Sequence, residues 1–150
     1  MLASLLLDPP EGEGAPSDLR PSAAVIKAIK GVVLVEGIHD LDLLLKTFPS
    51  YRDFVEGAFP GSDLSPFSVT RYKVREGVQI RWLVMQSRGD TLIDEPQAAS
   101  MYAHLQSEYV RMGWETTHIR KDFESTTEDH DAVLLTKRFA EVACSILEES

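Results

Sequence analysis

Two short apolar segments, separated by helical segments, constrain the fold of this chain more than any other feature. Residues 32–35 read VVLV and residues 80–85 read IRWLVM, and neither segment alternates regularly between apolar and polar side chains. A continuous apolar strand is typical of a parallel sheet that is covered on both faces. The chain order of strand, helices, strand, helix, strand, helix therefore predicts an α/β fold.

The remaining elements are read from weaker patterns. Asp94 and Gln97 have the spacing of a capping box, which predicts that a helix begins near Asp94. Residues 117–123, THIRKDF, are expected to form a polar third strand, and the last helix is expected within residues 131–150. Together these elements predict three mostly parallel strands with flanking helices.

The chain shows no internal repeat and no domain boundary, so residues 1–150 are expected to form a single domain. Residues 11–22 are rich in Gly, Pro, Ser and charge, which is typical of a loop. Residues 41–68 suggest two short helices, split at Pro49, and a loop that together resemble a cap over the sheet.

Composition excludes several classes of function. The formal net charge of −9 repels phosphate backbones, so we expect no nucleic-acid partner. No run of about 18 apolar residues exists to span a membrane, and the opening MLASLLLDPP does not read as a signal peptide. The single cysteine, Cys144, excludes an internal disulfide and is predicted to be buried in the last helix. The protein is expected to be soluble and cytoplasmic.

Two residues whose side chains could take part in catalysis follow predicted strands. Asp90 lies just beyond IRWLVM, and His130 lies in STTEDHDAVL, between the third strand and the last helix. In open parallel sheets, functional residues gather beyond the carboxyl ends of the strands. A carboxylate that accepts a hydrogen bond from one imidazole nitrogen leaves the other nitrogen to act as a base. The sequence therefore predicts an Asp90–His130 pair.

Structural alternatives exist for each candidate residue. Asp90 could open a turn, Asp94 could cap a helix, and His130 could begin one. The tripeptide Arg88-Gly89-Asp90 is too short to support an adhesion motif. Acidic residues near His130 are expected to favour the N-terminus of the last helix, and three further histidines are expected to be structural; these residues are Glu128, Asp129, Asp131, His39, His104 and His118.

Three segments, in this order, resemble a known family. Residues 37–41, GIHDL, are similar to a Gly-Ile-Tyr-Asp-Leu segment, Ser87 and Asp90 match a serine followed by the acid, and His130 is followed by Asp131. These segments resemble the C-terminal half of an α/β-hydrolase, and are most similar to kynurenine formamidases of the fungal type. The resemblance runs through nearly the whole chain.

The resemblance implies that Asp90 is the acid and His130 the base of a catalytic triad. It implies a small-molecule substrate, N-formylkynurenine, which is hydrolysed to kynurenine and formate in tryptophan catabolism. No metal or organic cofactor is implied. Two residues depart from the family pattern: Asp129 stands where glycine is common, and His39 stands where tyrosine is usual.

A serine hydrolase also needs a nucleophile on a Gly-x-Ser-x-Gly turn, and the sequence contains no such motif. Ser62, Ser87 and Ser145 each lack its strand-turn-helix context. The resemblance places the nucleophile upstream of Met1, so this chain is expected to carry the acid and base only and to be inactive alone. Its VVLV strand is then expected to be an exposed edge that allows self-association. An esterase or lipase of the same fold, and a non-catalytic interaction module, are the alternatives.

Overall fold

The computed structural model describes residues 5–10, 21–59 and 61–148 and has a mixed α/β architecture. The strands are β1 (Leu7–Asp8), β2 (Gly31–Val35), β3 (Lys73–Val74), β4 (Arg81–Met85) and β5 (Ile119–Asp122). The helices are α1 (Ala23–Ala28), α2 (Leu41–Thr47), α3 (Arg52–Ala58), α4 (Glu95–Arg111) and α5 (Lys137–Glu148). The predicted loop falls largely on residues 11–20, which lie outside the described residues.

A three-stranded parallel sheet organises the molecule. Its strand order is β2-β4-β5, and β4 is parallel to both neighbours. Val35 lies opposite Met85, and Met85 lies opposite Asp122, so the three strands end together. The predicted parallel sheet is confirmed, including the polar third strand. A separate antiparallel pair, β1 with β3, lies outside this sheet.

Helices cover both faces of the central strand. Because successive side chains of a strand point to opposite faces, the residues of β4 divide between two core clusters. One cluster joins the sheet to α4, through Trp82, Val84, Met101, Leu105 and Tyr109. The other joins the sheet to α5, through Leu83, Met85, Val142 and Ile146. This double burial explains why IRWLVM shows no alternation.

The segment expected to resemble a cap forms its own apolar cluster. Helices α2 and α3 are separated by a 3₁₀ turn at Pro49–Tyr51, as predicted from the position of Pro49. Leu44 and Val55 are buried in a cluster that also contains Ile93. Since Ile93 closely follows Asp90 in the chain, this cluster anchors the loop that leaves β4.

The last helix begins later than the sequence indicated. A 3₁₀ turn occupies Val133–Leu135, and the side-chain oxygen of Thr136 then accepts a hydrogen bond from the backbone N–H of Phe139 at 3.0 Å. Thr136 therefore supplies the helix cap, and the predicted role of the acidic residues near His130 at this helix terminus is wrong. Cys144 is exposed on α5, so the prediction of a buried thiol is also wrong.

The strand β2 lies at an edge of the three-stranded sheet, as the sequence predicted for VVLV. Its residues other than Leu34 are only half-buried. Among the described residues, no strand pairs with the outer side of β2. In the same part of the chain, none of the helices has the length and apolar character needed to cross a membrane.

Candidate functional site

The loops that leave β4 and β5 bring Asp90 and His130 together. The two strands are parallel neighbours, so their carboxyl ends open at the same edge of the sheet. The Nδ1 atom of His130 lies 2.8 Å from the Oδ2 atom of Asp90, a hydrogen-bonding distance. The predicted contact between these two side chains is thus present in the structure.

The carboxylate of Asp90 is held by several donors besides the imidazole. Its Oδ1 atom accepts hydrogen bonds from the backbone N–H groups of Leu92, at 2.8 Å, and Ile93, at 3.0 Å. Its Oδ2 atom also accepts one from the side-chain amide of Gln86 at 2.9 Å. Burial alone would raise the pKa of Asp90, but these bonds and the one from His130 together lower it. Asp90 therefore remains ionised and keeps a fixed orientation.

The loop that carries His130 is hydrogen-bonded directly to the loop that carries Asp90. Ser87 donates a hydrogen bond from its hydroxyl to the carbonyl oxygen of Glu128, at 2.5 Å. The backbone N–H of Arg88 donates to the carbonyl of Thr126, at 3.1 Å. At Gly89 the two loops approach so closely that a Cβ atom would lie 2.8 Å from the backbone oxygen of Glu128. A glycine is thus required here by close approach of the backbones.

His130 presents one ring nitrogen to Asp90 and leaves the other available. Its side chain is 28% exposed, and its Nε2 atom makes no hydrogen bond within the part of the chain that the structure describes. Burial acts to lower the pKa of His130, but the bond and charge of Asp90, with smaller contributions from Glu36 and Asp131, raise it overall. The geometry is that of a base oriented by an acid.

Glu36 is a third member of the site, and the sequence analysis missed it. Its side chain is buried, its Oε2 atom lies 3.5 Å from Nδ1 of His130, and its Oε1 atom accepts a 3.3 Å hydrogen bond from the backbone N–H of Ser87. Burial, followed by the charge of Asp90, raises the pKa of Glu36 to about 7. Its sequence signal was limited to its position directly after β2, since the contact with His130 depends on the fold.

His39 is buried. It retains 6% of its accessible surface, and its Nε2 atom is buried without a hydrogen-bond partner among the described residues. Burial lowers the pKa of His39 to about 4, so this side chain is neutral at physiological pH. The structure does not bring His39 into hydrogen-bonding contact with His130.

Gln97 does not complete the predicted capping box. Its side-chain oxygen accepts hydrogen bonds from the backbone N–H groups of His39 and Asp40, each at 2.9 Å, and its amide donates to the carbonyl of Asp40 at 2.8 Å. Asp94 is the residue before α4, as predicted, but its side chain forms no capping bond. Gln97 thus ties α4 to the segment that follows Glu36.

The hydroxyl groups of Ser87 and Ser145 have structural partners. The Ser87 hydroxyl is bound to Glu128 and accepts from the N–H of Gly89, while Ser145 donates to a carbonyl of its own helix. Neither hydroxyl is bonded to His130. The hydroxyl nucleophile of a triad is thus not supplied by these two residues.

The site could in principle be taken for a metal centre. Ligand atoms of Glu36, Asp90 and His130 all lie within 4.8 Å of one another. However, both Asp90 oxygens and Nδ1 of His130 already take part in hydrogen bonds. Asp90 and His130 are therefore held by hydrogen bonds within the protein.

Comparison with models of known protein families gives no match for this chain. A comparison with curated proteins gives no match either.

Proposed function

We propose that Asp90 and His130 are the acid and base of a serine-hydrolase site of the kynurenine formamidase type, in an α/β-hydrolase fold. The observation that carries the proposal is the 2.8 Å contact between Asp90 and Nδ1 of His130, with no hydrogen bond from Nε2 to any of the described residues. This orientation is the one required for Nε2 to take a proton from a serine hydroxyl.

In the proposed reaction, Nε2 of His130 accepts the hydroxyl proton while the serine oxygen attacks the formyl carbon. Asp90 stabilises the imidazolium that forms. His130 then returns the proton to the aryl amine as the C–N bond breaks, leaving a formyl ester on the serine. Water, activated by His130 in the same way, releases formate and restores the hydroxyl. The proposal requires a serine on a Gly-x-Ser-x-Gly turn, a motif that this sequence does not contain.

The apolar cluster of residues 41–68 supports an aromatic substrate. Phe48 and Tyr51 stack with ring centroids 5.2 Å apart, and the Tyr51 hydroxyl donates a 3.4 Å hydrogen bond to the carbonyl of Leu92. Leu92 follows Asp90 in the same loop. An aromatic surface beside the acid favours an aryl formamide over a short aliphatic ester.

The test is complementation of this chain with a segment that carries a Gly-x-Ser-x-Gly turn from a kynurenine formamidase. We expect the mixture, but neither component alone, to hydrolyse N-formylkynurenine. Replacing His130 by Ala should abolish the turnover. Faster turnover of short acyl esters than of aryl formamides would favour an esterase. No turnover of either class by the mixture would refute the proposal.

A non-catalytic function is favoured by one specific observation, the position of β2. An edge strand presents unpaired backbone groups to a partner strand, and an apolar edge promotes such pairing. We therefore propose, as the second candidate, that two copies of the chain associate through β2. Sedimentation over a range of concentrations should show dimers, whereas a monomer at all concentrations would exclude this candidate.

A further inference from the structure

Two carboxyl groups converge on the same edge of one imidazole ring. Asp90 Oδ2 lies 2.8 Å from Nδ1 of His130, and Glu36 Oε2 lies 3.5 Å from the same atom. We infer that Glu36 is a second positioning acid for His130: its carboxyl group shares the Nδ1 edge with Asp90, and its charge governs how readily His130 takes up a proton. The inference deepens the proposed function, on which the positioning role rests.

The backbone at Glu36 supports a specific role for this side chain. Glu36 has a φ of 49°, in the left-handed region, and is the one non-glycine residue in the described part of the chain with a positive φ. That conformation is uncommon for a residue with a long side chain and costs free energy. Glu36 nevertheless keeps only 6% of its surface exposed. A strained backbone that buries a carboxyl group beside a histidine indicates a function more than a packing role.

Of the two carboxyl groups, Glu36 is the one that takes up a proton first as the pH falls. Two nearby carboxyl groups do not ionise equally, because each charge opposes the other. Asp90 receives the stronger set of hydrogen bonds, so its pKa is lowered. Burial, the charge of Asp90 and, more weakly, that of Asp129 raise the pKa of Glu36 to about 7.

The charge of Glu36 therefore affects the proton affinity of His130. Below a pH of about 7, Glu36 is neutral and Asp90 is the ionised carboxylate in contact with Nδ1 of His130. Above that pH, ionised Glu36 adds a second negative charge and raises the proton affinity of His130. The charge of Asp131 also raises the pKa of His130. The charge state of Glu36 thus sets part of the proton affinity of His130 near neutral pH.

The test is an NMR titration of His130 in the full chain, with its ring signal assigned by loss in a His130→Asn variant. In Glu36→Gln, the amide oxygen can still accept from Ser87, but no charge can form. We expect the pKa of His130 to fall by roughly half to one pH unit relative to the wild type. The matched control is Glu95→Gln, which removes an exposed carboxylate on α4 and should leave the titration of His130 unchanged.

A second measurement, on the wild-type protein, tests the inference even if the Glu36→Gln variant does not fold. The carboxyl carbon of Glu36, observed in wild-type protein labelled with ¹³C-glutamate, should titrate near 7 and follow the His130 ring signal. A Glu36 pKa near its ordinary value, or an unchanged His130 titration in folded Glu36→Gln, would overturn the inference. Neither NMR titration requires substrate hydrolysis. An absent electrostatic coupling between Glu36 and His130 can therefore be distinguished from a failure of the formamide assay.

Discussion

Replacing Gly89 by Ala should separate the two loops that hold the site. A Cβ atom at position 89 would lie 2.8 Å from the backbone oxygen of Glu128 and even nearer to that of Thr127. Carbon and oxygen atoms that are not hydrogen-bonded need more than about 3 Å, so one loop must move by roughly 1 Å. The atoms that must move belong to the backbone rather than to a flexible side chain. We therefore expect the unfolding free energy to fall by about 1–3 kcal/mol. The Asp90–His130 bond should lengthen with the same movement.

Urea unfolding followed by circular dichroism measures the free energy, and an NMR titration measures the pKa of His130. The Gly89→Ala variant should show a lower pKa for His130, because Asp90 raises that pKa in the intact site. Gly57 provides the matched control: it lies in α3, and its Cβ would meet nothing within 4 Å. We expect Gly57→Ala to be neutral or slightly stabilising. A Gly89→Ala protein with unchanged stability and unchanged His130 titration would refute the steric reasoning.

Three further variants test the network around the site. Gln97→Ala leaves two backbone N–H groups unpaired and should lower the unfolding free energy by about 2–4 kcal/mol, whereas Gln106→Ala, which removes one half-buried bond on the same helix, should cost less than about 1 kcal/mol. Because burial lowers the pKa of His39, the contribution of this residue to the unfolding free energy is complete above pH 6.5 and is lost as the pH falls towards 4. The total loss is about 3 kcal/mol. Urea titrations at a series of pH values measure it, and it should disappear in His39→Leu. Asp90→Asn should lower the pKa of His130 measured by NMR, since the aspartate raises it, and an unchanged pKa would contradict the assigned pair.

The central sheet and the Asp90–His130 contact were predictable for the same physical reason. A strand that packs on both faces needs apolar side chains on both, so the apolar runs in VVLV and IRWLVM carry a local signal of their position in the sheet. The ends of parallel strands meet at one edge, which makes residues far apart in the chain neighbours. Asp90 and His130 follow adjacent strands, and the observed contact follows from that topology. Their catalytic roles remain a prediction.

Glu36 and Gln97 were not predicted, because their partners come from other segments. Glu36 reads as an ordinary acidic residue after a strand, and its significance appears only when His130 lies 3.5 Å away. Gln97 reads as a capping residue three positions after Asp94, but the packing of α4 places its amide against the backbone of His39 and Asp40. Local patterns cannot distinguish these roles, since both require contacts across the fold.

At the start of the last helix, a local sequence pattern predicted a role that the structure does not show. Acidic residues before an apolar helical pattern predict a helix N-terminus, yet Thr136 supplies the cap. The acidic segment is instead hydrogen-bonded to the loop that carries Asp90, through Ser87 and Glu128. The sequence by itself determined the class of fold, the parallel sheet and the strand ends at which a site could form, because burial and turn chemistry act locally along the chain. Only the tertiary structure decided which side chains share a proton, because that depends on ångström-scale distances between loops that are remote in sequence.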